Sequence, residues 1–437
     1  MGWHKRLRGT SVLLFLTLLN VLNFADRFLI QGFAVDICRD LQLSNMQFTL
    51  LTGFVFTGFY TVMGLVMGIL ADRMHRPRLM AAGLFLWSLL TAATGATRNF
   101  VGLASTRAFI GVGEATLTPA ALGLLGDMFD STRRAFASGF YYLGAPLGIG
   151  GAFIIAGTLG PTIGWRSCFY ALGAIGMLMA CALMFLREPR VDAQKSAGDS
   201  YDSLTLPAAR RDGVLRQIHA ALAASPALVL VIVGATFVIF SQGTFVLDQI
   251  WLVRERGFDK AHAQNLSGAM FLVGGVLGAV LGGIGSDAMQ ARFSGGRLYF
   301  LALIFTLGVP LGFAYRLIDP QGIAFLVCMF GGSIMLTVGY GAIFASVQDL
   351  APTQTRSTMM AFVILCMTLL GTSPGNLFAG WMADFLRARG DAQAITHAVM
   401  LGLSPWVAAI PCFFMAAKRC AREDAGKKES MENIQAS

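Results

Sequence analysis

Arg107-Ala-Phe-Ile-Gly111-Val-Gly113-Glu114 is the stretch on which the reading of this chain turns. It sits inside an apolar run over about 101–125 that carries no ionisable residue besides Arg107 and Glu114. At about 1.5 Å per helical residue, such a run crosses the hydrocarbon core of a bilayer. A charge at that depth costs at least about 2.5 kcal/mol, so an arginine and a glutamate there point to function. Arg107, Gly111 and Glu114 stand at i, i+4 and i+7, which puts them on one helix face. That face is expected to look into the protein or a wet cavity and away from lipid.

The rest of the composition agrees with a membrane chain. Of 437 residues, 55% are hydrophobic and 13% charged, where a soluble domain would carry about 25% charged residues. The net charge of +9 arises from basic loops and implies no nucleic-acid partner. The seven cysteines show no CxxC or metal-ligand spacing and read as packing residues, with a Cys38–Cys168 disulfide as the less favoured alternative. No HExxH or P-loop occurs and no His–carboxylate cluster sits mid-span, so neither an enzyme nor an ATP-driven pump is expected, and no cofactor or metal.

Hydropathy predicts spans at about 11–33, 46–71, 79–97, 101–126, 135–158 and 167–187, then 226–252, 263–286, 297–316, 321–346, 357–384 and 396–417. The expected domains are a six-helix bundle over 1–187, a linker over 188–224, a second bundle over 225–417 and a charged tail over 418–437. The end of the linker, 206–224, reads as a helix on the membrane surface, with a disordered tether as the alternative; the tail reads as disordered. With the N-terminus inside, 22 Lys and Arg fall in the inner segments and nine in the outer loops. This bias predicts a multi-pass protein of the plasma or inner membrane with both termini cytoplasmic.

The halves echo each other. Asp127 stands seven residues before Arg134 after span 4, and Asp349 seven before Arg356 after span 10. Gly64-x3-Gly68-x3-Asp72-Arg73 after span 2 is answered by Gly278-x3-Gly282-x3-Ser286-Asp287 after span 8. Two echoes in the same register of six argue for a duplicated six-span unit.

Gly68-Ile-Leu-Ala-Asp72-Arg73-Met-His-Arg76-Pro-Arg78 resembles the signature loop between spans 2 and 3 of the major facilitator superfamily, with His75 where Gly is usual. Asn23-Phe-Ala-Asp26-Arg27, Arg107-x3-Gly111-Val-Gly113-Glu114-Ala115 and Gly144-Ala-Pro146-Leu-Gly148 are similar to elements of its Spinster-like branch. The resemblance implies an all-α membrane protein of twelve transmembrane helices in two pseudo-symmetric six-helix bundles. It also implies a secondary active transporter, with spans 1, 4, 7 and 10 lining a cavity that opens alternately to each side. A monomer is the default for this fold.

Within that frame, burial disfavours the charged form of a carboxylate, making Glu114 and then Asp26 the candidates for proton coupling, with a proton gradient as driving force. By depth along the helices Asp26 should pair with Arg107, leaving Glu114 less compensated. Arg27 and Arg107 are candidates to bind an anionic substrate group, unless the two carboxylates consume them. Asn23, Ser333, Thr337, Tyr340 and Asn376 are further substrate-binding candidates, although small polar residues also fasten helices together. The resemblance suggests a conformational latch built from Asp72, Arg73, Arg76, Asp127, Arg134, Asp349 and Arg356, which otherwise read as topology signals. Gly144, Pro146, Gly148 and Pro374 are expected hinges. The substrate expected is an amphipathic lipid-like molecule or an organic anion. A symporter of small carboxylates or sugar acids is the alternative, and a sensor that no longer transports is the remote one.

Overall fold

A computed structural model describes residues 2–129, 131–186, 214–352 and 355–436. Residues 188–213 of the linker expected over 188–224, and the side chains of Asp72, Arg73 and Arg134, lie outside the described residues. The described residues are predominantly helical and hold no strand. Twelve helical segments are long and apolar enough to cross a membrane: Gly9–Gly32, Asn45–Gly68, Arg76–Gly95, Phe100–Met128, Ala137–Thr158, Gly160–Met184, Pro226–Arg254, Lys260–Arg292, Gly296–Leu317, Ile323–Leu350, Thr358–Ala388 and Ala394–Arg422. They are numbered spans 1–12 below. The chain is a multi-pass membrane protein.

Three of the spans begin where the sequence supplies side-chain caps. The Asn99 side chain accepts from Gly102 N at 2.8 Å to start span 4, and Ser44 and Gln47 form a capping box before span 2. Ser225 caps span 7, with Pro226 in the first turn, where its missing N–H costs nothing. Several spans are interrupted. Span 4 is two helices, Phe100–Glu114 and Leu117–Met128, and span 5 breaks between Tyr142 and Gly144. Span 10 breaks at Gly339, and π turns occupy Leu51–Val55 in span 2 and Cys366–Thr372 in span 11, just before Ser373-Pro374. The final helix runs Ser404–Ala436, which corrects the expectation of a disordered tail. Lys, Arg, Ala and Glu dominate the tail; they propagate a helix already nucleated by span 12. Of the expected surface helix, Val214–Ala224 is seen.

By packing, the residues fall into two compact units, 1–205 with 246–272, and 206–245 with 273–437. The end of span 7 and the first part of span 8 therefore count with the first unit. Lys260 Nζ meets Asp36 Oδ1 there at 2.7 Å, and Gln264 Nε2 donates to Gly32 O at 2.6 Å. All seven cysteines are free thiols.

Close helix contacts in the first unit depend on missing Cβ atoms. A Cβ on Gly111 would lie 2.8 Å from the carbonyl oxygen of Phe56 in span 2. One on Gly113 would lie 2.8 Å from Trp87 Cβ in span 3. The two glycines of the Gly-Val-Gly stretch thus admit one neighbour each, and fix the rotation of span 4 that aims Glu114 inward.

Gly111→Ala is therefore expected to destabilise the protein by about 1–3 kcal/mol through backbone overlap. Gly58→Ala, where nothing lies within 4 Å, should be neutral or stabilising. Thermal unfolding of the purified variants compares the two, and equal midpoints would remove the close-packing account. A second expectation concerns the loop carboxylate Asp40. Trp165 Nε1 donates to it at 2.9 Å and Arg166 Nη1 at 3.1 Å, and the Trp165 bond first holds its carboxyl below the ordinary value. A lowered folded-state value means its stabilisation is present above the ordinary carboxylate range and fades as pH falls through the lowered one. Unfolding midpoints from pH 6 down to 3 should fall less steeply for Asp40→Asn than for the native chain.

Candidate functional site

Four ionisable residues meet in the interior of the first unit. Arg27 Nη2 contacts Glu114 Oε2 at 2.7 Å and Arg27 Nε contacts the same oxygen at 3.1 Å. The Glu114 side chain is fully buried and that of Arg27 is 20% exposed. This corrects the pairing expected from depth. Asp26 and Arg107 form no ion pair among the described residues; Asp26 Oδ2 accepts from the Thr91 hydroxyl of span 3. The reason lies in side-chain direction. Helical side chains lean toward the N-terminus of their own helix. Spans 1 and 4 run in opposite directions, so Arg27 and Glu114 lean toward each other and close the two-turn gap. Asp26 and Arg107 lean apart.

Arg27 is also enclosed by rings. Its Cζ lies 5.2 Å from the centre of Phe24, 4.8 Å from Phe56 and 4.6 Å from Tyr60. A guanidinium held against aromatic faces keeps some of the electrostatic stabilisation lost with water. Arg107 shares the Phe56 ring at 4.9 Å, and its Nη2 donates to the Arg27 carbonyl at 3.4 Å. Arg107 is buried, and its Nε and Nη1 have no hydrogen-bond partner among the described residues. The same is true of Asp26 Oδ1, Glu114 Oε1 and Asn23 Nδ2. Two cations and two carboxylates leave the cluster neutral overall, yet five of its polar atoms lack a partner. A buried polar atom without a partner costs about 1–3 kcal/mol, so the cluster is well suited to receive a proton or a polar group.

The second unit divides its candidates differently. The Ser333 hydroxyl donates to Phe330 O at 2.7 Å and the Thr337 hydroxyl to Gly275 O at 2.8 Å. Both are engaged with backbone, Thr337 binding span 10 to span 8. In the amide orientation that satisfies its neighbours, the Asn376 nitrogen donates to Gly243 O at 2.7 Å and Thr372 O at 3.1 Å, which ties the π turn of span 11 to the end of the first helix of span 7. Tyr340 is the more open: its hydroxyl meets Gln242 Oε1 at 3.3 Å, and Gln242 Nε2 reaches Leu336 O at 3.4 Å.

At the ends of the spans, three of the latch candidates, Arg76, Asp127 and Asp349, take part in ion pairs. Arg76, opening span 3, meets Asp127 at 2.6 Å in the first unit. Arg297, opening span 9, meets Asp349 and, at 2.8 Å, Asp287 in the second. The partners are 51 and 52 residues apart, respectively, so the duplication recurs as geometry. Arg356 is exposed. In span 5, Gly144 gives room to Asn20, whose Nδ2 donates to Tyr141 O at the helix break, and Gly148 gives room to Phe24. Pro146 lies in the helix after the break, and Pro374 in the first turn after the π turn of span 11.

Sequence reasoning missed Thr91, the rings Phe24, Phe56 and Tyr60, and the polar partners Gln242 and Arg297. The i, i+4 spacing of Phe56 and Tyr60 was a signal, but one shared with many lipid-facing faces. Arg297 was recoverable by carrying Arg76 through the repeat.

Comparison with known proteins places these features in a family. The family model described as Major Facilitator Superfamily matches residues 16–375. The chain is 26% identical over 428 residues to an MFS-type efflux pump of Mycolicibacterium smegmatis, covering 96% of this chain and 95% of that protein. It is 25% identical to the sphingosine-1-phosphate transporter SPNS2 of Danio rerio, over 95% of this chain and 85% of the relative. Among solved structures, a bacterial homolog of the human lysosomal transporter Spinster, inward-facing and unoccupied, superposes with a TM-score of 0.75. It is 25% identical, with 95% of this chain and 98% of that one covered. The twelve apolar spans, the doubled end pairs and these matches show that the chain belongs to the Major Facilitator Superfamily of membrane transporters and resembles its Spinster-like branch.

Proposed function

We propose that the chain is a proton-coupled secondary transporter working by alternating access, and that it carries an amphipathic molecule with an anionic head group. The observation that supports this most is the Arg27–Glu114 pair. Glu114 is fully buried, and its second oxygen has no partner. Protonation of Glu114 removes the attraction that holds Arg27, and a freed guanidinium takes a carboxylate or phosphate in its place. Proton and anion then favour the same state of the site, which is the differential stabilisation that coupling requires. Asp26, held by the Thr91 hydroxyl, is the second proton-accepting group. Arg107, with two unpartnered nitrogens, and Asn23, with one, offer further donors to the head group.

The rings of Phe24, Phe56 and Tyr60 supply an apolar wall beside those donors, which suits an amphiphile better than a small sugar acid. The Danio rerio relative is named for a phosphorylated sphingoid lipid, a molecule of that chemistry. Tyr340 and Gln242 are the corresponding substrate-facing candidates in the second unit. The excess of Lys and Arg in alternate loops supports a plasma or inner membrane location with both termini cytoplasmic. The end pairs Arg76–Asp127 and Arg297–Asp349 are candidates for the latch, and the interruptions at Gly144 and Pro374 for the hinges.

Two outcomes are expected. Ligand-induced thermal stabilisation of the purified protein should be saturable with lysolipids or phosphorylated sphingoid bases and weak with small carboxylates and sugar acids. Arg27→Ala should weaken it at least about tenfold, since a charge-assisted hydrogen bond is lost. Stabilisation by small anions alone would favour the organic-anion reading. In the second experiment, ligand affinity in the native protein should rise on acidification. In Glu114→Gln, which mimics the protonated form, it should be high and should depend less steeply on pH, with Asp26 left as the titrating group. An unchanged pH profile in that variant would end the proton assignment of Glu114.

A further inference from the structure

Thr91 of span 3 differs from other threonines of the spans in where its hydroxyl goes. Threonine hydroxyls here commonly turn back onto their own helix. Thr17 donates to Leu13 O at 2.8 Å, Thr94 to Leu90 O at 3.0 Å, Thr236 to Ile232 O at 2.8 Å and Thr306 to Ala302 O at 2.7 Å. Each bonds the carbonyl four residues back, as the residue ordinarily does inside a helix. Thr91 has such a carbonyl at Trp87. Its hydroxyl instead crosses to span 1 and donates to Asp26 Oδ2. Thr91 is fully buried and Asp26 is 2% exposed, so bulk water does not reach the bond.

An ionised carboxylate only accepts hydrogen bonds, and a hydroxyl that donates to it favours the ionised form. The other oxygen of Asp26, Oδ1, has no partner among the described residues, so the Thr91 hydroxyl is the hydrogen bond that this carboxylate has. A protonated carboxyl is itself a donor. The hydroxyl is then free to turn back to Trp87 O, as Thr94 does one turn on. Three other charges act on Asp26: Glu114 and Arg107 on span 4, and Arg27 on its own span. Spans 3, 5 and 6 bring no carboxylate or histidine, and their arginines, Arg76, Arg78 and Arg166, stand near the span ends. Their remaining titratable groups, Tyr141, Tyr142, Cys168, Tyr170 and Cys181, are of types that are uncharged near pH 7.

We propose that Thr91 is a positioning residue for proton coupling: its hydroxyl orients Asp26 and favours the ionised carboxylate, and so sets the pH at which Asp26 takes a proton. The inference rests on the reading of Asp26 as the second proton-accepting group. The test is an infrared pH titration of the purified full-length protein in a neutral detergent, from pH 4 to 8, following the C=O stretch of protonated carboxyl groups. Asp26→Asn identifies the part of the signal that belongs to Asp26. In Thr91→Val, which keeps the shape and loses the hydroxyl, that part should appear at a pH about one unit higher, because the ionised form has lost a hydrogen bond. Thr91→Ala, a second way to remove the donor, should match it, and Thr91→Ser, which keeps the donor, should restore the native midpoint. Thr94→Val, equally buried one turn on, should leave the midpoint in place. If the Asp26 signal titrates in the native protein and is unmoved in Thr91→Val and Thr91→Ala, or moves as far in Thr94→Val, the positioning role is overturned and Asp26 remains a proton-accepting group. If no signal removed by Asp26→Asn titrates in this range, the inference and the assignment of Asp26 both fall, while the Glu114 assignment is decided by the ligand-affinity profile above.

Discussion

The bond between Arg27 and Glu114 is the constraint around which the first unit is built. Taking two charges out of water costs several kcal/mol each, and their attraction offsets this only with good geometry. Removing one partner leaves an orphan charge and costs about 3–5 kcal/mol. Many nearby features follow from that. Gly111 and Gly113 let span 4 approach spans 2 and 3 closely enough to exclude water. Phe24, Phe56 and Tyr60 surround the guanidinium without offering a competing carboxylate. Thr91 engages Asp26, so the neighbouring carboxylate does not draw Arg27 away.

The pair is strong and yet incomplete. A fixed structural network would be expected to saturate its members, because an unpaired polar atom is expensive in a low dielectric. Here Arg107 lies buried with two free nitrogens, and both carboxylates keep a free oxygen. Ser333, Thr337 and Asn376, by contrast, each find backbone acceptors. The contrast separates residues that fasten helices from residues left with unmade hydrogen bonds, which residue type alone does not.

Much of the fold was legible because apolar runs and basic loops record the membrane directly. The twelve spans, the doubled pattern and the charged cluster of Asp26, Arg27, Arg107 and Glu114 all follow from residues whose burial is too costly to be incidental. The pairing within the cluster was not legible from depth. Counting residues along a helix locates Cα atoms, whereas arginine reaches far and leans toward its helix N-terminus. The aromatic cage was hidden by abundance: with 34 phenylalanines in the chain, most of which suit lipid equally well, nothing marks Phe24 or Phe56. Arg297 was overlooked because the echoes were sought between loop motifs, where Asp287 drew attention, instead of between the starts of spans 3 and 9.

The interruptions in the helices bear on how such a site could change. Span 4 breaks immediately after Glu114, and the π turn of span 2 ends immediately before Phe56. The acid of the pair and the ring beneath its base are therefore each joined to a backbone segment that lacks regular helical hydrogen bonding. Such segments absorb changes in φ and ψ at lower cost than a continuous helix. Span 1, which carries Asp26 and Arg27, is continuous from Gly2 to Gly32. The arginine thus stands on a rigid element, and its partner and cage stand beside compliant ones. A site arranged this way can release Arg27 by small movements of spans 2 and 4 without distorting span 1. On the proton-coupled function proposed above, a proton on Glu114 acts where the backbone is most able to respond.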